Sequence, residues 1–230
     1  SCGREHLPDG DIPMTNIRVL SPAESVGWER LDDVLLDAKG RMIVPPAALY
    51  ETLPPGQLRA WCHFRGVYQL ACSELVDWAR DRIAGRRAIE IGAGRGWLGR
   101  ALGIPMTDSR VMERLDMAMF YRLTGQPVTP YGDDVEKLEA LEAIARYKPE
   151  VVIGCWVTQL HLPGDDHGSA FGVDEVRLLD RVSEYIVVGN ANVHGGKRIC
   201  KREHAEFKAP WIWSRAARPE LNTIYTWGKG

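Results

Sequence analysis

The run Ala88-Ile89-Glu90-Ile91-Gly92-Ala93-Gly94-Arg95-Gly96-Trp97-Leu98-Gly99 joins three features that ligand chemistry needs in one place. An apolar stretch reads as a buried strand, three alternating glycines let a ligand approach the backbone closely, and the helix expected next offers its first N–H groups to an anion. Glu90 sets a carboxylate at the end of that strand. Burying it alone is costly, so a ligand amine or a backbone amide is expected beside it. Gly94, Gly96 and Gly99 also satisfy GxGxxG, which makes the pyrophosphate of a dinucleotide a candidate ligand. The Glu90 carboxylate argues against that candidate, because a carboxylate near a pyrophosphate repels it.

Other polar residues of catalytic type gather in two loops. Thr158, Gln159 and His161 follow the apolar run that starts at Val151, with Asp165, Asp166 and His167 behind them, and Asn190, Asn192 and His194 follow a second apolar run. These are residue types a divalent cation takes, but their spacing matches no ligand motif, and no metal is expected. Cys155 has nothing adjacent in sequence to lower its thiol pKa and reads as a structural thiol. Lys197, Arg198, Lys201 and Arg202 form a basic cluster ahead of Trp211 and Trp213. Such interleaving can track a nucleic-acid backbone and stack its bases, although Glu203 and Glu206 favour a solvated face followed by a core strand.

These residues need a scaffold, and the punctuation of the chain supplies one. Ser21-Pro22-Ala23-Glu24 reads as a capping box for a short helix carrying Trp28, Leu31, Val34 and Leu35, stopped by Gly40. Leu58, Trp61, Tyr68, Leu75 and Trp78 suggest one long or broken helix, interrupted at Gly66 and ending near Gly85. From Arg87 onward short apolar runs alternate with helical segments, the pattern of a parallel sheet covered on both faces. Strands are predicted over 88–91, 104–107, 127–131, 150–157, 184–189, 210–214 and 222–227. Between them, helices are predicted after Gly96, on Met112, Leu115, Met119 and Leu123, on Leu138, Leu141 and Ile144 with Asp133 and Glu136 as capping box, and around Val173–Arg181. The last two strands, joined through Arg218-Pro219, are expected to be an antiparallel hairpin. The fold class is therefore α/β, a Rossmann-like, mostly parallel seven-stranded sheet with helices on both faces. A mostly helical N-terminal extension, 1–85, is expected over the ligand mouth of a domain spanning 86–230.

Composition narrows the function classes. The 230 residues hold 45% hydrophobic side chains, enough for a sizeable core, and 29 basic against 31 acidic residues give no overall field that selects nucleic acid or anionic membrane. No apolar stretch reaches the roughly 20 residues of a bilayer span. Five scattered cysteines without CxxC spacing suggest neither a disulfide framework nor a zinc site, and a cytoplasmic setting is expected. Met14 is a candidate natural start, which would make residues 1–13 a tag or leader.

The Glu90-Ile91-Gly92-Ala93-Gly94-Arg95-Gly96 run resembles motif I of the class I S-adenosylmethionine-dependent methyltransferases, and the resemblance extends over residues 86–230. It implies that S-adenosylmethionine is the cofactor, with Glu90, Gly92, Ala93, Gly94 and Gly96 embracing its amino-acid end. Asp108, followed by Ser109, matches the acid behind the second strand that accepts the ribose hydroxyls. Asp134, between Asp133 and Val135, matches the acid behind the third strand that meets the adenine amino group, with an apolar neighbour against the ring. Trp156 would wall the methyl-transfer pocket. Methyl transfer is an in-line displacement that needs alignment and, for a protonated nucleophile, a base; His161 is the candidate base, with Gln159 and Thr158 orienting. The acceptor is expected to be a small or anionic molecule rather than nucleic acid. An NAD(P)-dependent oxidoreductase and a non-catalytic S-adenosylmethionine-binding protein are the alternatives.

Overall fold

The computed structural model describes residues 26–164, 168, 169 and 171–228. The leader expected over residues 1–13 and the capping box at Ser21–Glu24 lie outside them. Seven strands form one sheet: β1 (Ala88–Ile91), β2 (Met106–Asp108), β3 (Glu136–Lys137), β4 (Val151–Cys155), β5 (Glu184–Asn190), β6 (Ala205–Phe207) and β7 (Asn222–Gly228). Their order is β3-β2-β1-β4-β5-β7-β6. Every neighbouring pair is parallel except those made by β7, which runs antiparallel to β5 and β6. The expected α/β sheet and its antiparallel end are thus present.

The central strands are apolar on both sides because both faces are covered. On one face Val151, Ile153, Ile186, Val188 and Ile224 pack against Trp61, Leu70, Leu75 and Leu98. These partners come mainly from the helices that precede the sheet: α1 (Asp32–Leu35), α2 (Ala48–Thr52), α3 (Pro55–Phe64) and α4 (Ser73–Ile83), with α5 (Trp97–Leu102) after β1. The N-terminal helices therefore share a core with the sheet. On the other face Ile89, Ile91, Val152, Tyr185, Val187, Tyr225 and Trp227 meet Ala143 and Ile144 of α7 (Ala140–Tyr147) and Leu178 of α8 (Glu175–Leu179). The side-chain period of two along each strand produces this division. Gly66 breaks the predicted long helix as expected, with φ of 62°, a left-handed conformation that glycine takes at little cost.

Three expectations are corrected. The stretch 127–131 is not a strand; β3 lies further on, at Glu136–Lys137, paired with Thr107 and Asp108. Asp133 and Glu136 accordingly do not cap a helix, since α7 begins at Ala140 behind Glu139. The stretch 210–214 is not β6 either. Its backbone turns toward the N-terminal helices, where the Trp213 carbonyl accepts from Leu70 N at 3.0 Å and the Trp211 carbonyl from Cys72 Sγ at 3.2 Å. A connection over 208–221 then separates β6 from β7, in place of a tight hairpin. The helix predicted on Met112, Leu115, Met119 and Leu123 forms as α6 (Leu115–Leu123), but Leu115 and Leu123 are 76% and 84% exposed. No helix among the described residues is long and apolar enough to cross a membrane.

Candidate functional site

Chain order reverses between β1 and β4, which are adjacent in the sheet, so a crevice opens beyond the carboxyl ends of these strands. A cleft lies there. Glu90, Gly92, Ala93, Gly94, Asp108, Ser109, Trp156 and Thr158 line it, all of them sequence candidates. Gly92, Gly94 and Gly96 all have φ between 53° and 69°. Gly96 faces away from the cleft: a Cβ there would stand 2.7 Å from Val135 Cγ2 and 2.8 Å from Met106 Sδ. The third glycine thus lets the loop close against a small apolar cluster of Ala93, Met106 and Val135.

Two buried carboxyl groups dominate the site. Glu90 is 1% exposed, and its Oε2 accepts the Gly99 N–H at 2.7 Å. Burial pushes its carboxyl up to about 8, against the pull of the Gly99 amide and with a further push from Asp108. Asp108 accepts Gly94 N at 2.9 Å through Oδ2 and Arg110 N at 2.8 Å through Oδ1. Burial raises its pKa as well, and the two amides oppose the rise. Each buried carboxylate has lone pairs beyond those these amides use, so a ligand that brings hydroxyl or ammonium donors meets complementary acceptors.

Asp133 and Asp134 do not reach the cleft. Because β3 begins after them, they sit at its amino end, whereas the cleft opens at carboxyl ends. Asp133 pairs with Arg41 at 2.8 Å, and Asp134 receives two bonds from Arg100, at 2.7 and 2.5 Å. The Arg100 hydrogen bond holds the Asp134 carboxyl below its ordinary value. Val135 is buried beneath the glycine loop. The acid at the carboxyl end of β3 is Glu139, which the sequence reading missed. Burial, Glu142 and Asp108 raise its pKa, in that order. The alternation Val135-Glu136-Lys137-Leu138 was its only signal.

Trp156, directly after β4, holds a left-handed conformation with φ of 57°, uncommon for a bulky residue and characteristic of functional loops. Its N–H donates to the Val188 carbonyl at 2.9 Å and its indole Nε1 to Gln69 Oε1 at 3.2 Å. Gln69 is fixed in turn by donating to the Trp213 carbonyl at 2.6 Å. The indole leans on Tyr68, with ring centroids 5.7 Å apart, and meets His194 edge-on. Tyr68, Gln69, Tyr121, Tyr131 and Phe171 also line the cleft. Sequence reasoning missed them because they come from segments with no motif of their own.

The expected base is not in the cleft. His161 is exposed, and its backbone N–H is engaged by Ser169 at 2.8 Å. Gln159 is buried with its amide oxygen accepting from Arg198 N, a structural contact. Of the proposed trio only Thr158 lines the cleft. His194 is buried, accepts Asn190 N at 3.0 Å, and is pushed down to about 3 by burial and Lys197, so it is neutral. Burial pushes the Cys155 thiol well up, consistent with a structural thiol. Among the described residues no three His, Cys, Asp or Glu side chains gather as a metal site; Asp165, Asp166 and His167 lie outside them.

The basic cluster is dispersed. Lys197 is 4% exposed and bonds Glu175 Oε1 at 2.8 Å, and Arg202 pairs with Asp180 at 2.9 Å. Only Arg198 and Lys201 remain as exposed cations of the original four without an acidic partner among the described residues.

No protein-family model and no curated protein matches this chain. Among solved structures it is similar to a tRNA (uracil-54, C5)-methyltransferase of Pyrococcus abyssi in complex with S-adenosyl-L-homocysteine, at 11% identity, 66% of this chain, 36% of that one and a TM-score of 0.33. A SAM-dependent methyltransferase of Agrobacterium tumefaciens is 11% identical over 67% of this chain and 61% of that one, with a TM-score of 0.35. A Thermoplasma acidophilum protein is 15% identical over 74% and 86%, with a TM-score of 0.32. The chain thus spans about a third of the length of the first of these. Its own strand order, with β7 inserted antiparallel between β5 and β6, gives it the Rossmann-like fold that the resemblance to class I methyltransferases implies.

Proposed function

We propose that the chain is an S-adenosylmethionine-dependent methyltransferase. The observation that carries the reading is the pairing of Glu90 and Asp108, two buried carboxylates at the carboxyl ends of adjacent strands, either side of a left-handed glycine loop. In this reading Asp108 accepts the ribose hydroxyls and Glu90 faces the methionyl ammonium. Trp156, held by Gln69, walls the space where the sulfonium methyl meets its acceptor. When bound, S-adenosylmethionine supplies the electrophilic methyl group. The residues present supply alignment, with the acceptor in line between the glycine loop and the aromatic wall.

A nicotinamide dinucleotide fits less well. Its pyrophosphate would need the N–H groups at the start of α5, and the Glu90 carboxylate already occupies the Gly99 amide there. Calorimetric titration with S-adenosylmethionine, S-adenosylhomocysteine, NAD and NADP tests the choice. Binding of the two adenosyl sulfur compounds alone supports the proposal; binding of the dinucleotides alone, or of none, overturns it.

A further inference from the structure

A second cleft lies against the outer side of the glycine loop, and its lining is cationic. Lys39, Arg41, Arg95 and Arg100 converge there with a single acid, Asp133. Local structure presents the first two: Asp37 Oδ1 accepts the N–H groups of both Lys39 and Arg41 at 2.9 Å, and Gly40 turns the chain with φ of 71°. Arg95 follows Gly94, and Arg100 stands on α5. Arg41 is matched by Asp133 and Arg100 by Asp134. Neither Lys39 nor Arg95 makes an ion pair among the described residues, although the Asp37 carboxylate acts on Lys39 and Asp32 on Arg95.

Arg95 is the more telling of the two. Its guanidinium is half-buried and, among the described residues, donates through Nε and Nη2 only to the Arg65 carbonyl, at 3.2 and 2.6 Å. The nearby acid, Asp32, is already taken by Arg65 and by the Trp61 indole. Burial, with the Arg65 charge behind it, pulls the Arg95 pKa below its ordinary value. Withdrawing a cation from water without an anion beside it is unfavourable, and a bound anion relieves that cost. Arg95 and Tyr131 line both this cleft and the one beyond β1.

We infer that Lys39 and Arg95, framed by Arg41 and Arg100, bind a phosphate group. Two cations that make no ion pair match the charge of a phosphomonoester, roughly −1.5 to −2 at neutral pH, better than the single charge of a carboxylate. The guanidinium forks suit its oxygens. That the phosphate belongs to the methyl acceptor rests on the methyltransferase reading; that the cleft binds phosphate does not.

The test is calorimetric titration, without cofactor, of inorganic phosphate, phosphoserine and a single-stranded uridine 12-mer at two salt concentrations. It uses the wild type, Lys39→Gln, Arg95→Gln, Arg95→Lys and, as a distant control, Lys201→Gln. Saturable phosphate binding that falls at least tenfold in Lys39→Gln and Arg95→Gln, is partly kept in Arg95→Lys and is unchanged in Lys201→Gln is the expected result. Phosphoserine binding as tightly as the 12-mer identifies a small phosphorylated molecule. Tighter 12-mer binding, with a salt slope reduced by about 0.7 on removing Lys39, identifies a polynucleotide. No saturable binding of any probe, or equal binding by all variants, overturns the site. Lys39 stands on an exposed turn, so its variant separates loss of binding from loss of folding. S-adenosylmethionine binding, titrated in parallel, distinguishes failure here from failure of the methyltransferase reading.

Discussion

Glu90 Oε2 accepts the N–H of Gly99 at 2.7 Å, so a carboxylate from β1 serves the amide of α5 that an N-cap side chain would serve. Gly96, the N-cap residue, has no side chain to offer. The contact joins strand to helix across the glycine loop, but it keeps an ionisable group out of water. With its carboxyl pushed up to about 8, Glu90 holds more protons in the folded than in the unfolded chain between pH 4.5 and 8. Its contribution is fully present below the unfolded pKa and is lost as pH rises through the folded value. Glu90→Gln keeps an oxygen for Gly99 and removes the ionisation. Thermal melts from pH 4.5 to 9 should show the wild type losing stability toward alkaline pH, and the variant losing on the order of 4 kcal/mol less. Equal pH slopes would remove the buried-acid assignment.

The same elevated pKa gives a binding signature. At pH 7 Glu90 is mostly protonated in the ligand-free cleft, and an ammonium group placed beside it favours the carboxylate. Binding of S-adenosylhomocysteine should therefore release up to about one proton from Glu90. Calorimetry in two buffers of different ionisation enthalpy measures this directly. Glu90→Gln should abolish the release, and a wild-type enthalpy independent of buffer would exclude the ammonium from Glu90.

Asp108 and Asp134 should behave oppositely. Asp108 lines the cleft with a raised pKa, and a ligand hydroxyl pair bonded to its carboxylate contributes about 1.5 to 3 kcal/mol. Asp108→Asn should weaken S-adenosylhomocysteine binding roughly 10- to 100-fold. Asp134 spends both oxygens on Arg100, and Asp134→Asn should leave the dissociation constant within about twofold while changing stability by under about 1 kcal/mol. Equal losses in the two variants would restore Asp134 to the cofactor site. Because the Asp108→Asn variant keeps only one acceptor oxygen for two backbone amides, a melting curve must accompany the titration.

The sequence made β1 and β5 legible because strands buried on both faces read as continuous apolar runs, and the glycine loop legible because alternating glycines after such a run have few other uses. It hid β3 because a two-residue strand has no period to detect. Asp133 and Asp134 were drawn to the cofactor by that displacement alone. The stripe Leu115, Met119, Leu123 forms the predicted helix, yet it faces outward, since periodicity fixes an amphipathic face and says nothing of which way it turns. The partnership of Gln69 with Trp156 joins residues 87 positions apart, beyond what local pattern reaches. Lys197 reads as part of a basic run until the fold supplies a buried partner.

That partner, Glu175, makes the last prediction. Its Oε1 accepts both Lys197 Nζ and the Tyr185 hydroxyl at 2.8 Å, and both charged side chains are nearly fully buried. Removing one member strands the other charge away from water, at a cost of about 3 to 5 kcal/mol, whereas replacing both with apolar side chains of similar volume is often close to neutral. Lys197→Met should therefore lower the melting temperature by roughly 6 to 20 °C at about 2 to 4 °C per kcal/mol. The double variant with Glu175→Leu should recover most of the loss. Lys201→Gln, on the exposed surface, should leave the melting temperature within about 2 °C. If Lys197→Met and Lys201→Gln melt alike, the two lysines share one solvated face, and the basic cluster regains its standing as a surface.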